Sequence, residues 1–281
     1  IRKNLFTGCM VIVGDMPWHR AGNCFTDDDL AFIELLFENH YGITSEKKIL
    51  TALRVVANSN GYHPVREYLN HLDWDRTPRV RFALHHFLGA EISDLNEELL
   101  RLFMLGAVTR IFQPGCKFDM MLCLTGGQGA GKSSFFRFLA GNDEWFSDDL
   151  RRLDDENIYR HMMGHWIIEM SEMIATVNAK NVEEIKSFLS RQKDTYKVPY
   201  DKFPADRPRQ CVTSSKLDFL PHDRSGNRRF LPIRIDPDKA EVHILANQQT
   251  SRAYFNQLWA EIMVIVPANT RYNSLRKHPS N

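Results

Sequence analysis

Apolar positions recur with a helical spacing over much of the first 112 residues and then change character beyond Lys117. Thr26 is placed to cap a helix whose first turn holds Asp27, Asp28 and Asp29 and whose stripe is Leu30, Ile33, Leu36 and Phe37. Gly42 ends it. Ser45 precedes a second helix carrying Ile49, Leu50, Leu53, Val56 and Ala57. Pro64 and Pro78 stand where the first turn of a helix accepts proline, and Thr77-Pro78 reads as the cap and first position of a helix through Leu88. A longer helix from Ser93 to Phe112 repeats Leu95, Leu99, Leu102, Phe103 and Leu105/Gly106 until Pro114-Gly115 stops it. Residues 1–26 differ: short alternating stretches such as Cys9 to Val13, broken by Gly14, Pro17 and Gly22, read as irregular chain or short strands.

Past Lys117 strands and helices alternate. Strands are predicted at Met120–Thr125, His165–Glu169, Arg209–Ser215 and Arg229–Ile235, with helices after the first strand, across Val182–Leu189 and over Arg252–Val266. Alternation of this kind specifies a three-layer α/β/α domain. The expected organisation is a mostly helical N-terminal region over residues 1–92 and an α/β domain over 93–281, with a frayed tail after residue 270.

The connection after the first of these strands carries the chemistry. Gly126-Gly127-Gln128-Gly129-Ala130-Gly131-Lys132-Ser133, followed by Ser134 and an apolar helix, is G-x-x-x-x-G-K-[ST] in a strand–loop–helix setting, the pattern of a P-loop NTPase. Gly126, Gly127, Gly129 and Gly131 let the backbone take positive φ and turn N–H groups towards phosphate oxygens. The helix opening at Lys132 adds unsatisfied donors and a positive dipole end. Lys132 is expected on the β/γ-phosphates and the Ser133 hydroxyl on Mg²⁺. Hydrolysis needs an acid as well, at the end of a strand beside the P-loop, to hold the metal and orient water. Trp166-Ile167-Ile168-Glu169 is an apolar strand ending in a carboxylate, and Glu172 follows within reach. Burying such an acid without a cation partner is costly, which favours function; the metal and water-orienting roles stay undivided between the two. Cys211 to Ser215, ending Ser214-Ser215-Lys216, can set a polar group against the γ-phosphate. Arg228-Arg229 after Gly226 can stabilise the transferring phosphoryl group from the same subunit or a neighbour.

Composition narrows the classes without naming one. The chain has 281 residues, 43% of them hydrophobic and 25% charged, as an ordinary globular protein has. A net charge of +1 means that nucleic acid must be met by local patches rather than a global field. Five cysteines with no C-x-x-C argue for a reducing, cytoplasmic setting without a disulfide framework or zinc site. No apolar run approaches the length of a membrane span, so no membrane partner is expected. The chain begins at Ile1, as an excised piece of a longer protein would.

Many further phrases occur in order: Gly14-Asp15-Met16-Pro17-Trp18, Tyr62-His63-Pro64-Val65-Arg66-Glu67-Tyr68-Leu69, Pro114-Gly115-Cys116-Lys117-Phe118-Asp119, Lys186-Ser187-Phe188-Leu189-Ser190, Gly226-Asn227-Arg228-Arg229-Phe230 and Leu258-Trp259-Ala260-Glu261. With the P-loop, the chain from about residue 14 to residue 262 resembles the virulence-associated protein E family, allied to the superfamily 3-like, AAA+-type helicases of phages and mobile elements. The resemblance implies that Gly126–Ser133 is the Walker A motif, Glu169 the Walker B acid, residues 211–216 the sensor strand, and Arg228 or Arg229 a finger acting across subunits. It also implies a ring oligomer such as a hexamer, and a primase region upstream. Between Asp194 and Arg209, where such helicases carry a DNA-touching hairpin, Lys197, Lys202 and Arg207 alternate with Tyr196, Tyr200 and Phe203, a mixture suited to single-stranded DNA. One departure matters: the family's sensor strand tends to end Thr-Thr-Asn, and Lys216 cannot accept a hydrogen bond from an attacking water.

The expected function is therefore an Mg²⁺-dependent ATPase and DNA helicase-like motor of mobile-element or phage replication. The alternative is an ATP-gated module that assembles on DNA or protein and turns over slowly. A small-molecule kinase is disfavoured by the missing acceptor lid, and GTP by the missing N-K-x-D signature.

Overall fold

The computed structural model describes residues 1–150, 162–170, 179–191, 193–196, 205–208, 211–215 and 228–266. The chain divides into two compact units, Ile1–Tyr68 and Leu69–Asn281.

In the first unit β1 (Arg2–Asn4) pairs antiparallel with β2 (Met10–Val11) and parallel with β3 (Gly61–Tyr62), beside α1 (Asp27–Tyr41) and α2 (Glu46–Ser59). Thr26 and Asp29 form a reciprocal capping box at the start of α1. Asp29 does more than fill a first turn. It is buried and accepts hydrogen bonds from Trp18 Nε1 at 2.8 Å and Arg20 Nε at 2.7 Å, so it ties the irregular segment before α1 to the helix. The Arg20 hydrogen bond, more than any other contact, holds the Asp29 carboxyl well below the usual carboxylate range. The expected apolar stripe of α1 is only partly covered, with Leu36 exposed. His63 caps α3 (Pro64–Asn70), its Nδ1 accepting from the Arg66 backbone N–H at 3.4 Å.

The second unit contains α4 (Val80–Leu88), α5 (Asp94–Phe112), β4 (Met121–Thr125), α6 (Lys132–Leu139), β5 (Phe146–Ser147), β6 (Ile167–Glu169), α7 (Ala179–Ser190), β7 (Lys193–Tyr196), β8 (Ala205–Pro208), β9 (Cys211–Ser214), β10 (Phe230–Arg234) and α8 (Gln248–Ile265). Five strands form a parallel sheet in the order β10-β4-β9-β6-β5, the α/β architecture that the alternation specified. Pro232 lies in β10, an edge strand, where a missing N–H costs no ladder bond. β7 and β8 pair as a separate antiparallel ribbon, Lys193 opposite Pro208 and Tyr196 opposite Ala205.

One expectation changes. Thr77-Pro78 does not begin α4; the helix starts at Val80, and a tertiary contact does the capping. The Glu261 carboxylate of α8 accepts from the backbone N–H of Arg79 at 2.6 Å and of Val80 at 3.1 Å, meeting the donors and the dipole that a local cap would have met. With Phe87 stacked on Phe255 at 5.4 Å, this places α4 in the second unit, although its sequence groups it with the first 92 residues. In the sheet, β9 lies between β4 and β6, the strand that ends in Glu169.

Indole groups fasten the helices to the sheet. Trp166 stacks on Trp259 at 4.4 Å, and their N–H groups donate to the carbonyls of Ala107 in α5 and Leu139 in α6. Gly106 is an approach point, since a Cβ there would stand 2.2 Å from the Phe118 ring. Among the described residues no helix is long and apolar enough to cross a membrane.

Candidate nucleotide-binding site

The glycine loop leaves β4 at its carboxyl end and enters α6 at Lys132. At Gly126 φ is +146°, and a Cβ would meet the Ile235 carbonyl oxygen at 2.8 Å; at Gly131 φ is +77°. Gly127 does not have positive φ, so the expected left-handed role falls to Gly126, Gly129 and Gly131. No side chain caps α6, which leaves its first-turn N–H groups directed at the space in front of the loop. Lys132 folds over the loop, its Nζ donating to the carbonyls of Gly126 at 2.5 Å and Gly127 at 3.0 Å.

Glu169 stands behind the loop. It ends β6, is fully buried, and its Oε1 accepts from Ser133 Oγ at 3.0 Å and from Ser215 Oγ. The two hydroxyl oxygens are 3.5 Å apart. The P-loop serine, the strand-end acid and the sensor-strand serine thus meet at one point, although their strands are not all neighbours. A carboxylate oxygen and a hydroxyl at this spacing are hard donors of the kind that Mg²⁺ takes, with water and phosphate completing the set, so the residues fit that ion.

In front of them opens a cavity of about 660 Å³, lined by Gly126, residues 128–134, Ser215, His243 and Leu245. This is within the range of small-molecule sites. The expected loop residues Gln128, Gly129, Ala130, Gly131, Lys132, Ser133 and Ser134 all line it, while Gly127 does not. His243 and Leu245 were missed. They lie between β10 and α8, and the available signal was faint: a ring and an aliphatic side chain either side of the buried Ile244.

The two arginines are separated by their contacts. Arg229 donates from Nε to Asp119 Oδ2 at 3.2 Å and to Ser190 Oγ at 3.1 Å, which engages it within its own subunit. Arg228 is exposed. Both precede β10, whose Phe230 pairs with Met121 and whose Arg234 pairs with Thr125. They therefore stand at the amino edge of a parallel sheet whose carboxyl edge holds the cavity. Glu172, Lys216, Lys197 and Lys202 lie outside the described residues, as does the side chain of Arg207, whose backbone is in β8.

Residues 69–279 match the virulence-associated protein E-like domain. The match begins at the residue that opens the second unit. No curated protein sequence matches the chain. Among solved structures, the apo NrS-1 C-terminal region is similar over 97% of this chain and 68% of that one, at 14% identity and a TM-score of 0.54. Another form of that region is similar over 73% and 50%, at 16% identity and 0.50. The chain thus spans half to about two thirds of these structures. A JCV helicase with a bound inhibitor aligns at 12% identity over 88% of this chain and 70% of that one, with a TM-score of only 0.36.

Proposed function

The chain belongs to the virulence-associated protein E-like domain family, and on that footing we propose that it is an Mg²⁺-dependent ATPase, the motor of a DNA helicase-like protein in phage or mobile-element replication. The observation that carries this reading is the 3.0 Å contact between Ser133 Oγ, which lines the cavity, and the buried Glu169 behind it. A P-loop that bound phosphate for structural reasons would need no carboxylate there. Ser133 and Glu169 would hold magnesium, which would supply neutralising charge to the phosphates.

The chain's own groups do the rest. Lys132 exchanges the Gly126 and Gly127 carbonyls for phosphate oxygens, and the first-turn N–H groups of α6 hold the β-phosphate. Glu169 accepts a hydrogen bond from the attacking water and directs it at the γ-phosphorus, breaking the bond to the bridging oxygen. Arg228 supplies positive charge to the site of the next subunit in a ring. The β7–β8 ribbon, with Lys197, Lys202 and Arg207, contacts single-stranded DNA, and the first unit serves assembly or an upstream primase region in the cytoplasm.

Phosphate release measured with and without single-stranded DNA tests this. DNA should raise turnover, and Lys132→Ala or Glu169→Gln should lower it about a hundredfold or more, the latter with ATP binding kept. Equal turnover with and without DNA refutes the motor. A second reading, an ATP-gated assembly module, is favoured by the Ser215 hydroxyl, which shares Oε1 of the acid with Ser133. It requires ATP-driven oligomerisation with phosphate release near background.

A further inference from the structure

The phosphate end of the cavity is accounted for by the glycine loop, but its other wall has no assigned part. We propose that His243 and Leu245 form the subsite for the purine base of the nucleotide, and that the His86–Glu241 pair is the latch that positions them. This rests on reading the cavity as a nucleoside triphosphate site, and it adds what that reading leaves open, namely what recognises the base.

Ile244 anchors the segment. It is 1% exposed, its Cγ2 would be 3.2 Å from a Cβ placed on Gly131, and its carbonyl accepts from the buried Ser251 hydroxyl at 2.8 Å. The segment is thus packed directly against the loop that holds the phosphates. On either side of this inward-facing residue, His243 and Leu245 turn to the cavity. Leu245 is 47% exposed, which leaves apolar surface for a planar ring to cover. His243 has a fixed orientation: its Nδ1 accepts the Leu245 backbone N–H at 3.3 Å. The neutral ring therefore carries its proton on Nε2, a donor suited to the in-plane ring nitrogens of a purine. Phosphate groups have no use for an aliphatic side chain, so the pairing of Leu245 with a ring donor indicates a base.

Upstream, the same segment is clamped to α4. The backbone N–H groups of Glu241 and Val242 both donate to the His86 carbonyl, at 3.1 and 3.0 Å. The His86 ring stacks on Tyr254 at 5.0 Å with its plane 7° away, and its Nδ1–H donates to Glu241 Oε2 at 2.5 Å. His85 Nε2 stands 3.8 Å from the other carboxylate oxygen. Both histidines, which their helix position alone would leave facing solvent, are thus part of the clamp. A single residue, Val242, separates Glu241 from His243, and Leu245 lies two positions further on, so a shift at the latch is a shift at the base wall. His86 and Glu241 are positioning residues, with no contact to the ligand.

The test compares ATP with inorganic tripolyphosphate, each with Mg²⁺, by calorimetric titration of the full chain. Leu245→Ala should weaken ATP about tenfold and His243→Ala by somewhat less, while tripolyphosphate binding stays within about twofold. Glu241→Ala should show the same selective loss at about threefold, and Glu241→Gln, which keeps an oxygen acceptor, should recover most of it. Lys132→Ala must weaken both probes. The proposal is overturned if Leu245→Ala and His243→Ala bind ATP like the parent, or lose both probes in parallel. If the parent chain binds neither probe, the triphosphate reading itself fails and takes the subsite with it, an outcome distinct from the first two.

Discussion

Replacing Arg228 and Arg229 one at a time should yield two different defects, because the two neighbours do different work. Arg229 is about one-fifth exposed, and its partner Asp119 slightly less, so its removal leaves a carboxylate and the Ser190 hydroxyl short of a donor in a partly dry place. Loss of one charge-assisted hydrogen bond of this kind costs about 2 kcal/mol. For a unit of this size that is a melting temperature lower by about 4–8 °C. Arg228 is exposed, and Arg228→Ala should leave melting unchanged within about 1 °C. Turnover should show the opposite order. The five paired positions of β10 separate the arginines from the cavity's edge of the sheet by about 16 Å, more than an arginine side chain spans. Neither can reach its own phosphate site, so the finger role proposed for Arg228 would have to be played at a neighbour's. An arginine finger is worth about a thousandfold or more in turnover. Arg228→Ala should therefore abolish phosphate release in a stable, ATP-binding chain, whereas Arg229→Ala should keep substantial activity below its lowered melting point. The assays are thermal melting beside phosphate release at 25 °C, with a mixture of Arg228→Ala and Lys132→Ala subunits included. Recovery of activity in the mixture supports action in trans. Full turnover by Arg228→Ala, or loss of turnover by Arg229→Ala without a change in melting, refutes the assignment.

Burial, with the Arg66 charge beside it, pushes the His63 pKa down to about 3, so the folded first unit keeps this ring neutral while the unfolded chain protonates it near pH 6.5. Stability from this site is full above pH 6.5 and declines as pH falls from there towards 3; the amide protection factors of residues 1–68, which divide out the intrinsic pH dependence of exchange, should fall between pH 7 and 5, and His63→Asn should flatten that slope. Glu261→Ala removes the tertiary cap of α4 and should lower the urea midpoint by the equivalent of about 1–2 kcal/mol, with Glu261→Gln close to the parent. Gly106→Ala drives a methyl group into the Phe118 ring and should cost about 1–3 kcal/mol by the same measurement.

What the sequence disclosed follows the range of the interactions involved. The glycine loop, the cap at Thr26 and the strand ending in Glu169 are written in consecutive residues, each with a local physical reason, and could be read directly. Strand order could not be read in this way. An apolar run ending in an acid says that the acid stands at a strand end, but not that β9 separates it from β4. Glu261 as the cap of α4 was equally hidden, because its donors lie 181 and 182 residues away in the chain. His243 and Leu245 belong to a connection whose sequence has no periodicity, and their role comes from Ile244 packing at Gly131, a contact across more than a hundred positions. Asp29 was read as a helix-start acid for its position; Trp18 and Arg20 make it a hub.

The insertion of β9 has a chemical consequence. With β6 adjacent to β4, Glu169 would face Ser133 alone; with β9 between them, Ser215 comes to the same carboxylate oxygen. Two hydroxyls from two separate stretches then share one acceptor atom of a third, in a buried place, and Oε1 cannot serve a water while both hydroxyls occupy it at full strength. Of the two, Ser133 belongs to the glycine loop and, on the proposed function, would have a second use as a ligand of the ion that accompanies ATP, whereas Ser215 has the acid within reach in any state that keeps β9 paired to β6. On the proposed function, nucleotide entry would withdraw one hydroxyl and leave the other to hold the carboxylate in its aim. Binding and readiness for hydrolysis would then be coupled through a single side chain, Ser133. A chain that kept both hydroxyls on the acid would bind ATP and turn it over slowly, so the same three residues distinguish the motor from the assembly module.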